Sequence, residues 1–117
     1  KNKYLFLSIG RLVKYKGYEY SIKALNELDI NFEYYIIGAG PLKKDLKNLI
    51  KKLNLDKKVF LLGEISEEEK NKLLSESDIF LFPSISKAEA YGLVQLEAMA
   101  YGLPIINTDL NNRLTGR

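Results

Sequence analysis

The stretch Tyr-Leu-Phe-Leu-Ser-Ile-Gly-Arg-Leu-Val-Lys-Tyr-Lys-Gly, residues 4–17, contains the first predicted strand and the loop that follows it. Its first part, Tyr4–Ile9, is an apolar run of strand length, so it predicts a β-strand. The next segment, residues 18–28, carries apolar side chains at helical spacing and predicts a helix. The apolar face of this helix consists of Ile22, Leu25 and Leu28. The chain therefore opens with a strand–loop–helix unit.

The same alternation of strand and helix patterns continues along the chain. Further strands are predicted at Phe32–Ile37, residues 59–62, Ile79–Phe82 and residues 104–107. Further helices are predicted at residues 42–53, from a capping-box start at Ser66 with Glu69 to about Ser77, and at residues 93–101. Five short strands separated by helices predict an α/β fold, a doubly wound parallel sheet of the Rossmann-like type covered on both faces. Such sheets bind ligands beyond the carboxyl ends of their strands.

The composition limits the chemistry that this chain can supply. At 117 residues it is predicted to be one domain, residues 1–117. It contains no Cys and no His, which excludes a disulfide framework, thiolate metal sites and an imidazole base from this sequence. Its longest apolar runs are strand-sized, so neither a transmembrane helix nor a signal peptide is predicted within it. The net charge of +3 favours anionic ligands or an anionic membrane surface, although a solvated helix face explains most of the lysines of the second predicted helix.

Two cations, Arg11 and Lys16, flank the loop after the first predicted strand. Gly17 follows them and allows the chain to turn back. Arginine presents a planar fork of donors and lysine a mobile point charge, a combination that suits neutralisation of a diphosphate. An ordinary basic loop on the surface explains the same residues equally well. From this segment alone both interpretations stay open.

A second loop, Gly38-Ala39-Gly40-Pro41, follows the second predicted strand. It resembles the start of a dinucleotide-binding fingerprint, but Lys43 occupies the position of the third glycine, and the loop follows the second strand rather than the first. A short turn with Pro near the helix start explains it without a ligand. For the segment alone, this structural interpretation is favoured.

Two carboxylates frame the last predicted helix, in the stretch Glu-Ala-Tyr-Gly-Leu-Val-Gln-Leu-Glu-Ala-Met-Ala-Tyr-Gly-Leu-Pro, residues 89–104. The helix is almost wholly apolar and is predicted to be buried, so a carboxylate on it needs a partner. Helical side chains lean toward the N-terminus, and Glu97 would therefore approach Gly92 and Glu89. Carboxylates beside free backbone N–H groups suit a ligand with hydroxyls and phosphates. A structural ion pair of Glu97 is the alternative.

Taken together and in this order, the segments resemble the C-terminal, donor-binding domain of the retaining glycosyltransferases with the GT-B fold, of the group 1 or family 4 type. The resemblance runs from about Leu5 to Asp109. Its motifs are Gly10-Arg11-Leu12 with Lys16-Gly17, residues 37–42, Val59–Gly63, residues 77–84, the pair Glu89 and Glu97 with seven residues between them, and residues 98–104. The resemblance implies that the chain is one half of a GT-B architecture.

The resemblance also implies a role for each matching residue. Arg11 and Lys16 would hold the diphosphate of a nucleotide sugar and offset the charge that develops on the leaving group. Glu97 would accept hydrogen bonds from the ribose, and Glu89 would orient the donor sugar beside the reacting carbon. The other donor-binding positions are the turn at Gly38 and Gly40, a base pocket near Leu62, Gly63 and Glu64, and the helix start at Gly92, Leu93 and Val94. No metal and no cofactor beyond the donor are implied, because Arg, Lys and the helix dipole neutralise the phosphates.

Further expectations concern the whole protein. The sequence stops soon after the fifth predicted strand, with a polar and unpatterned tail at residues 109–117, so we expect a domain truncated at its C-terminal end. The acceptor, a sugar or a lipid-linked glycan, would bind to the other half of the enzyme, and this fragment would bind donor without turnover. We expect a cytoplasmic location with peripheral contact at the inner face of the membrane.

Two other functions compete with the glycosyltransferase interpretation. A Rossmann oxidoreductase domain that uses a nicotinamide dinucleotide would need an intact fingerprint after the first strand, and Gly10-Arg11-Leu12 is not one. A non-catalytic module that recognises a nucleotide sugar or another polyanion stays open. A nucleic-acid partner is not expected, because neither the charges nor the aromatic residues cluster on one recognisable face.

Overall fold

A six-stranded sheet with helices on both faces organises the part of the chain that the computed structural model describes, which is residues 2–82, 102, 104–108 and 114–116. The strands are β1 (Tyr4–Ile9), β2 (Phe32–Ile37), β3 (Val59–Gly63), β4 (Ile79–Phe82), β5 (Ile105–Thr108) and β6 (Leu114–Gly116). The helices are α1 (Tyr18–Asn26), α2 (Lys43–Lys52) and α3 (Glu67–Glu76), and a short 3-10 turn at Lys14–Lys16 precedes α1.

The strand order across the sheet is β3-β2-β1-β4-β5-β6. The first five strands pair in parallel, and β6 pairs antiparallel with β5. The chain therefore builds outward from β1 to one edge and then returns to the other side of β1 through β4. This reversal is the topological switch point typical of a doubly wound sheet. The predicted fold class is confirmed.

The two faces of the sheet have separate apolar cores, because successive side chains of a strand point to opposite faces. In β1, Phe6 belongs to the core that α1 and α2 cover, and Leu7 belongs to the core that α3 covers. The buried side chains of the larger core are Phe6, Leu12, Tyr18, Ile22, Leu25, Phe32, Tyr34, Ile36, Leu46, Ile50, Leu55, Val59 and Leu81. Those of the smaller core are Leu7, Ile37, Leu74 and Phe80. Helices α1 and α2 thus pack on one face and α3 on the other.

The element bounds follow the predictions closely. β1, β2 and β4 begin and end at the predicted residues. Strand β3 differs from prediction by one residue at its end, and α2 and β5 each differ by one residue at both ends. The capping box at Ser66 is present, since Glu69 N donates to Ser66 Oγ at 3.1 Å and Ser66 N donates to Glu69 Oε1 at 3.2 Å. These bonds satisfy backbone donors that the first turn of α3 would otherwise leave unpaired.

Two sequence predictions need correction. Helix α1 ends at Asn26 and does not reach residue 28. Glu27 N donates to Ala24 O at 3.1 Å, which tightens the last turn, and Leu28 is 39% exposed instead of lying on the buried face. The tail that looks unpatterned contains β6, Leu114–Gly116, because pairing with the edge of β5 is made by main-chain groups and needs no apolar periodicity.

The predicted helix at residues 93–101 lies outside the described residues. Within the described part of the chain, none of the helices has the length and apolar character needed to cross a membrane.

Three hydroxyl groups form a buried chain that joins β1, β2 and α1. Ser8 Oγ donates to Leu81 O at 2.7 Å and lies 2.7 Å from Tyr34 Oη. Ser21 Oγ donates to Tyr18 O at 2.9 Å and lies 3.0 Å from Tyr34 Oη. This chain of hydroxyl groups thus has four contacts, three hydroxyl protons and a carbonyl acceptor at each end. Because both serines donate their protons to carbonyls, Tyr34 supplies the proton for the contacts between the hydroxyls.

The hydroxyl chain predicts a small effect of Tyr34→Phe at neutral pH. Neither serine loses its carbonyl acceptor, so we expect the free energy of unfolding to fall by about 1 kcal/mol or less. At alkaline pH the variant has an advantage, since burial raises the pKa of Tyr34 from 10.0 to about 12. In the parent protein, Tyr34 ionises at a lower pH in the unfolded state than in the folded state. Its contribution to folding stability is therefore fully present below pH 10.0 and is lost as the pH rises to about 12.

Urea denaturation of parent and variant, at neutral pH and across this alkaline window, measures both effects. The variant should lose less stability than the parent as the pH rises. Equal losses in the two proteins would contradict the burial of Tyr34 as a neutral phenol.

Candidate functional site

The loops that follow β1, β2 and β3 run side by side at the carboxyl edge of the sheet. Gly10 N donates to Ile37 O at 2.9 Å, and Gly38 N donates to Gly63 O at 2.8 Å. Backbone pairing therefore continues beyond the ends of the strands and joins the three loops.

Two glycines allow the first two loops to approach this closely. A Cβ atom on Gly38, whose φ is +142°, would lie 1.8 Å from the carbonyl O of Gly10. A Cβ atom on Gly40 would lie 2.6 Å from the carbonyl O of Leu12. No side chain fits at either position unless the main chain moves. The glycine-rich turn thus has a structural reason of its own, and its contact with a donor stays a prediction.

A cleft of about 620 Å³ opens beside these loops. The ends of β1 and β2, the loop after β3 and the first turn of α3 form its walls. Its lining residues are Ile9, Gly10, Arg11, Ile37, Gly38, Ala39, Gly40, Glu64, Ile65, Glu67 and Lys70. The cleft lies beyond the carboxyl ends of parallel strands, where sheets of this class bind their ligands.

The charged side chains of the cleft differ in whether they are paired. Lys70 Nζ lies 2.9 Å from Glu67 Oε1, and the two side chains are 18% and 75% exposed. Solvent screens such a pair, so it contributes no more than about 1 kcal/mol to stability. Among the described residues, by contrast, no ion pair or hydrogen bond engages the exposed side chain of Arg11. Arg11 is therefore the cation of this wall that an anionic ligand can bind without displacing a protein partner.

Lys16 lies beside the same loop as Arg11. The 3-10 turn ends at Lys16, and Gly17 then adopts a left-handed conformation with φ 75° from which α1 begins. A Cβ atom on Gly10 would lie 3.9 Å from Lys16 Cε and 2.7 Å from Tyr18 Oη. The aliphatic stem of Lys16 therefore packs along the β1 loop. Of the two predicted phosphate-binding cations, Arg11 lines the cleft, whereas Lys16 lies on the same loop outside the lining.

The structure separates Leu62 from the other two predicted base-pocket residues, Gly63 and Glu64, and Glu64 lines the cleft beside Arg11. The pairing of β2 with β3 runs from Leu61 directly to Gly63, so Leu62 is an extra residue that bulges from the strand. Leu62 is 36% exposed and lines a different depression, of about 460 Å³, beside α2. Gly63 stays at the joined loops through its bond with Gly38. The structure therefore does not bring Leu62 together with Arg11.

Five of the predicted site residues lie outside the described residues. They are Glu89, Gly92, Leu93, Val94 and Glu97. Their roles stay predictions that depend on the family resemblance.

Sequence reasoning did not single out Glu67 and Lys70, which line the cleft. The capping box at Ser66 was the available signal, because it places the first turn of α3 directly after β3 and thus at the same edge of the sheet as Arg11. Because this turn lies at the same edge as Arg11, its charged residues are candidates for ligand contact.

The carboxylates of the cleft do not form a metal centre. Across residues 2–82 and the short described segments that follow, no group of three or more Asp, Glu, His or Cys side chains is arranged to hold a metal ion.

The chain is similar to proteins of a known family. The family model "Glycosyl transferases group 1" matches residues 1–114. The amylovoran biosynthesis glycosyltransferase AmsK of Erwinia amylovora is 39% identical over 110 residues, which is 88% of this chain and 27% of AmsK. The D-rhamnosyltransferase WbpZ of Pseudomonas aeruginosa is 36% identical over 105 residues, which is 90% of this chain and 27% of WbpZ. The chain thus spans about a quarter of the length of these relatives.

The fold is also similar to that of solved structures. The crystal structure of Anabaena Alr3699/HepE in complex with UDP-glucose superposes with a TM-score of 0.80 at 26% identity. The superposition covers 91% of this chain and 30% of HepE.

The joined loops predict that Gly38→Ala is strongly destabilising. The new Cβ would meet a main-chain oxygen at 1.8 Å, so the loops must separate. We expect the free energy of unfolding to fall by about 3 kcal/mol or more, measured by urea denaturation.

Gly63→Asn is the matched control. Gly63 has φ +73°, but a Cβ there meets nothing within 4 Å, and asparagine tolerates this conformation. A loss of about 1 kcal/mol or less is expected. Similar losses in the two variants would contradict the close approach of the β1 and β2 loops.

Proposed function

The chain belongs to the glycosyl transferases group 1 family, and we propose that it is the donor-binding half of a retaining glycosyltransferase. In this proposal the domain binds a nucleoside-diphosphate sugar. The whole enzyme transfers the sugar to an acceptor hydroxyl in polysaccharide or glycolipid assembly. The acceptor is bound by the other half of the enzyme, so the present chain binds donor without turnover.

One observation carries the proposal, which is Arg11, without an ion-pair or hydrogen-bond partner among the described residues, on the wall of a cleft at the carboxyl edge of the sheet. The cleft has about 620 Å³, a volume that suits a nucleotide sugar. The guanidinium can donate two parallel hydrogen bonds to a phosphate, and Lys16 on the same loop adds a second charge. The HepE complex with UDP-glucose supports the same class of ligand for this fold.

In the proposed reaction, the donor domain stabilises the leaving group. The bond from the anomeric carbon to the β-phosphate oxygen breaks, and a bond to the acceptor oxygen forms on the same face of the sugar. The nucleoside diphosphate leaves with the bonding electrons, and the acceptor loses its proton. Arg11 and Lys16 neutralise the negative charge that grows on the departing diphosphate, a term of several kcal/mol in comparable sites.

Other roles in the proposal come from the family resemblance. Glu97 accepts hydrogen bonds from the ribose, and Glu89 fixes the donor sugar beside the reacting carbon. Gly92, Leu93 and Val94 offer backbone N–H groups to the phosphates at the start of a helix. The proposal includes no metal ion, because the two cations and these N–H groups perform the neutralisation.

The proposal also places the enzyme in the cytoplasm, with peripheral contact at the inner face of the membrane. Its relatives include AmsK, which is named for amylovoran biosynthesis.

Nucleotide titration tests the proposal. We expect UDP, GDP or ADP to shift the amide resonances of Gly10, Arg11 and Leu12 saturably. Arg11→Ala and Lys16→Ala should each weaken that binding about tenfold or more, since each removes a charge-assisted contact with phosphate. Arg11→Lys should recover part of the affinity, because it restores the charge without the planar fork.

Lys47→Ala is the matched control. Lys47 is an exposed cation of α2 that lines the separate depression, so its removal changes the net charge equally without touching the cleft. The affinity of Lys47→Ala for the nucleotide should stay within about twofold of the parent value. If no nucleotide binds either this folded chain or the longer protein that contains it, the proposed function is wrong.

A further inference from the structure

A buried serine, Ser8, lies where β1 and β4 separate, just beyond the pair Leu7 and Phe80. This position is called the fork. The pairing of these strands ends at Leu7 and Phe80, whereas β1 stays paired with β2 as far as Ile9. Just beyond the last β1–β4 pair, Ser8 Oγ donates to the carbonyl O of Leu81 at 2.7 Å. A side-chain hydroxyl therefore makes the link across the sheet at the position where strand pairing has ended.

The core holds Ser8 in the orientation that this link needs. Tyr34 Oη lies 2.7 Å from Ser8 Oγ on the other side. Because Ser8 gives its proton to Leu81 O, the contact with Tyr34 requires Tyr34 to donate. A hydroxyl that accepts one hydrogen bond while donating another is polarised, and both bonds strengthen. Ser8 is only 1% exposed, so bulk water does not replace either partner.

The link joins the two stretches of chain that lead to residues of the proposed donor site. From Ser8, β1 continues through Gly10 to Arg11 on the wall of the cleft. From Leu81, the sequence continues beyond β4 toward Glu89. A donor that contacts both stretches requires a fixed distance between their starting points.

We propose that Ser8 is a positioning residue of the donor site, which fixes the β1 loop relative to the end of β4 through its bond to Leu81. The inference rests on the proposed function for the identity of the ligand. The bond between Ser8 and Leu81 would act on affinity through Arg11, without Ser8 touching the donor.

Ser8→Ala and Ser21→Ala form a matched pair. Each variant removes one buried hydroxyl that donates to a carbonyl and contacts Tyr34, but only Ser8 joins two strands at the fork. We expect similar losses of stability. Ser8→Ala should weaken the binding of UDP, GDP or ADP, whichever the parent binds, between about threefold and tenfold. Ser21→Ala should change it by less than about twofold.

Amide hydrogen exchange of the full chain gives a readout that does not depend on nucleotide binding. Residues 9–12 and 81–82 should exchange faster in Ser8→Ala than in the parent, and at the parent rate in Ser21→Ala. If the parent binds none of the three nucleotides, the proposed function fails and hydrogen exchange still decides the role of Ser8.

The inference is overturned if Ser8→Ala binds nucleotide as tightly as the parent, if Ser21→Ala loses as much affinity, or if exchange at the fork is unchanged. Should Ser8→Ala fail to fold, Ser8→Cys takes its place. Cysteine is close in size and a weaker donor, so a smaller loss in the same direction is expected.

Discussion

The contact between two main chains at Gly10 and Gly38 is the constraint on which the candidate site depends. Parallel strands normally diverge where they pass into their loops, yet here the loops after β1 and β2 stay joined. They can do so because Gly38 places a backbone, without a side chain, where a Cβ would meet the Gly10 carbonyl at 1.8 Å. The edge of the cleft is consequently built from backbone, and Arg11 extends from it. A larger residue at position 38 would push the loop after β2 away from the loop after β1.

The two sides of β1 are held together in different ways. On the β2 side, backbone pairing reaches Ile9 and continues into the loops. On the β4 side, pairing ends two residues earlier, and one serine hydroxyl makes the last link. A doubly wound sheet opens a crevice where the chain reverses direction, between β1 and β4. The asymmetry therefore keeps the loop after β1 fixed to β2, while β4 separates from β1.

The sequence predicts what depends on apolar periodicity, and it misses what depends on backbone irregularity. The bounds of β1 and the position of Arg11 beyond its end both follow from one apolar run. The family resemblance implies by position that Leu62 lies in the base pocket, but Leu62 bulges from β3 and lines another depression. The apolar pattern of a sequence does not reveal where a strand bulges. β6 was missed for a related reason, since its partner is the main chain of β5.

The distribution of charge along the cleft would orient a nucleotide sugar that binds as proposed. On the α3 side, Lys70 is already paired with Glu67, and Glu64 adds a carboxylate, so a phosphate placed there would meet net negative charge. On the β1 side, Arg11 has no competing acid among the described residues, and Lys16 lies on the same loop. The Coulomb term therefore favours the diphosphate over β1. A donor bound as proposed would then extend its uncharged base toward α3, where carboxylates can accept hydrogen bonds from its N–H groups.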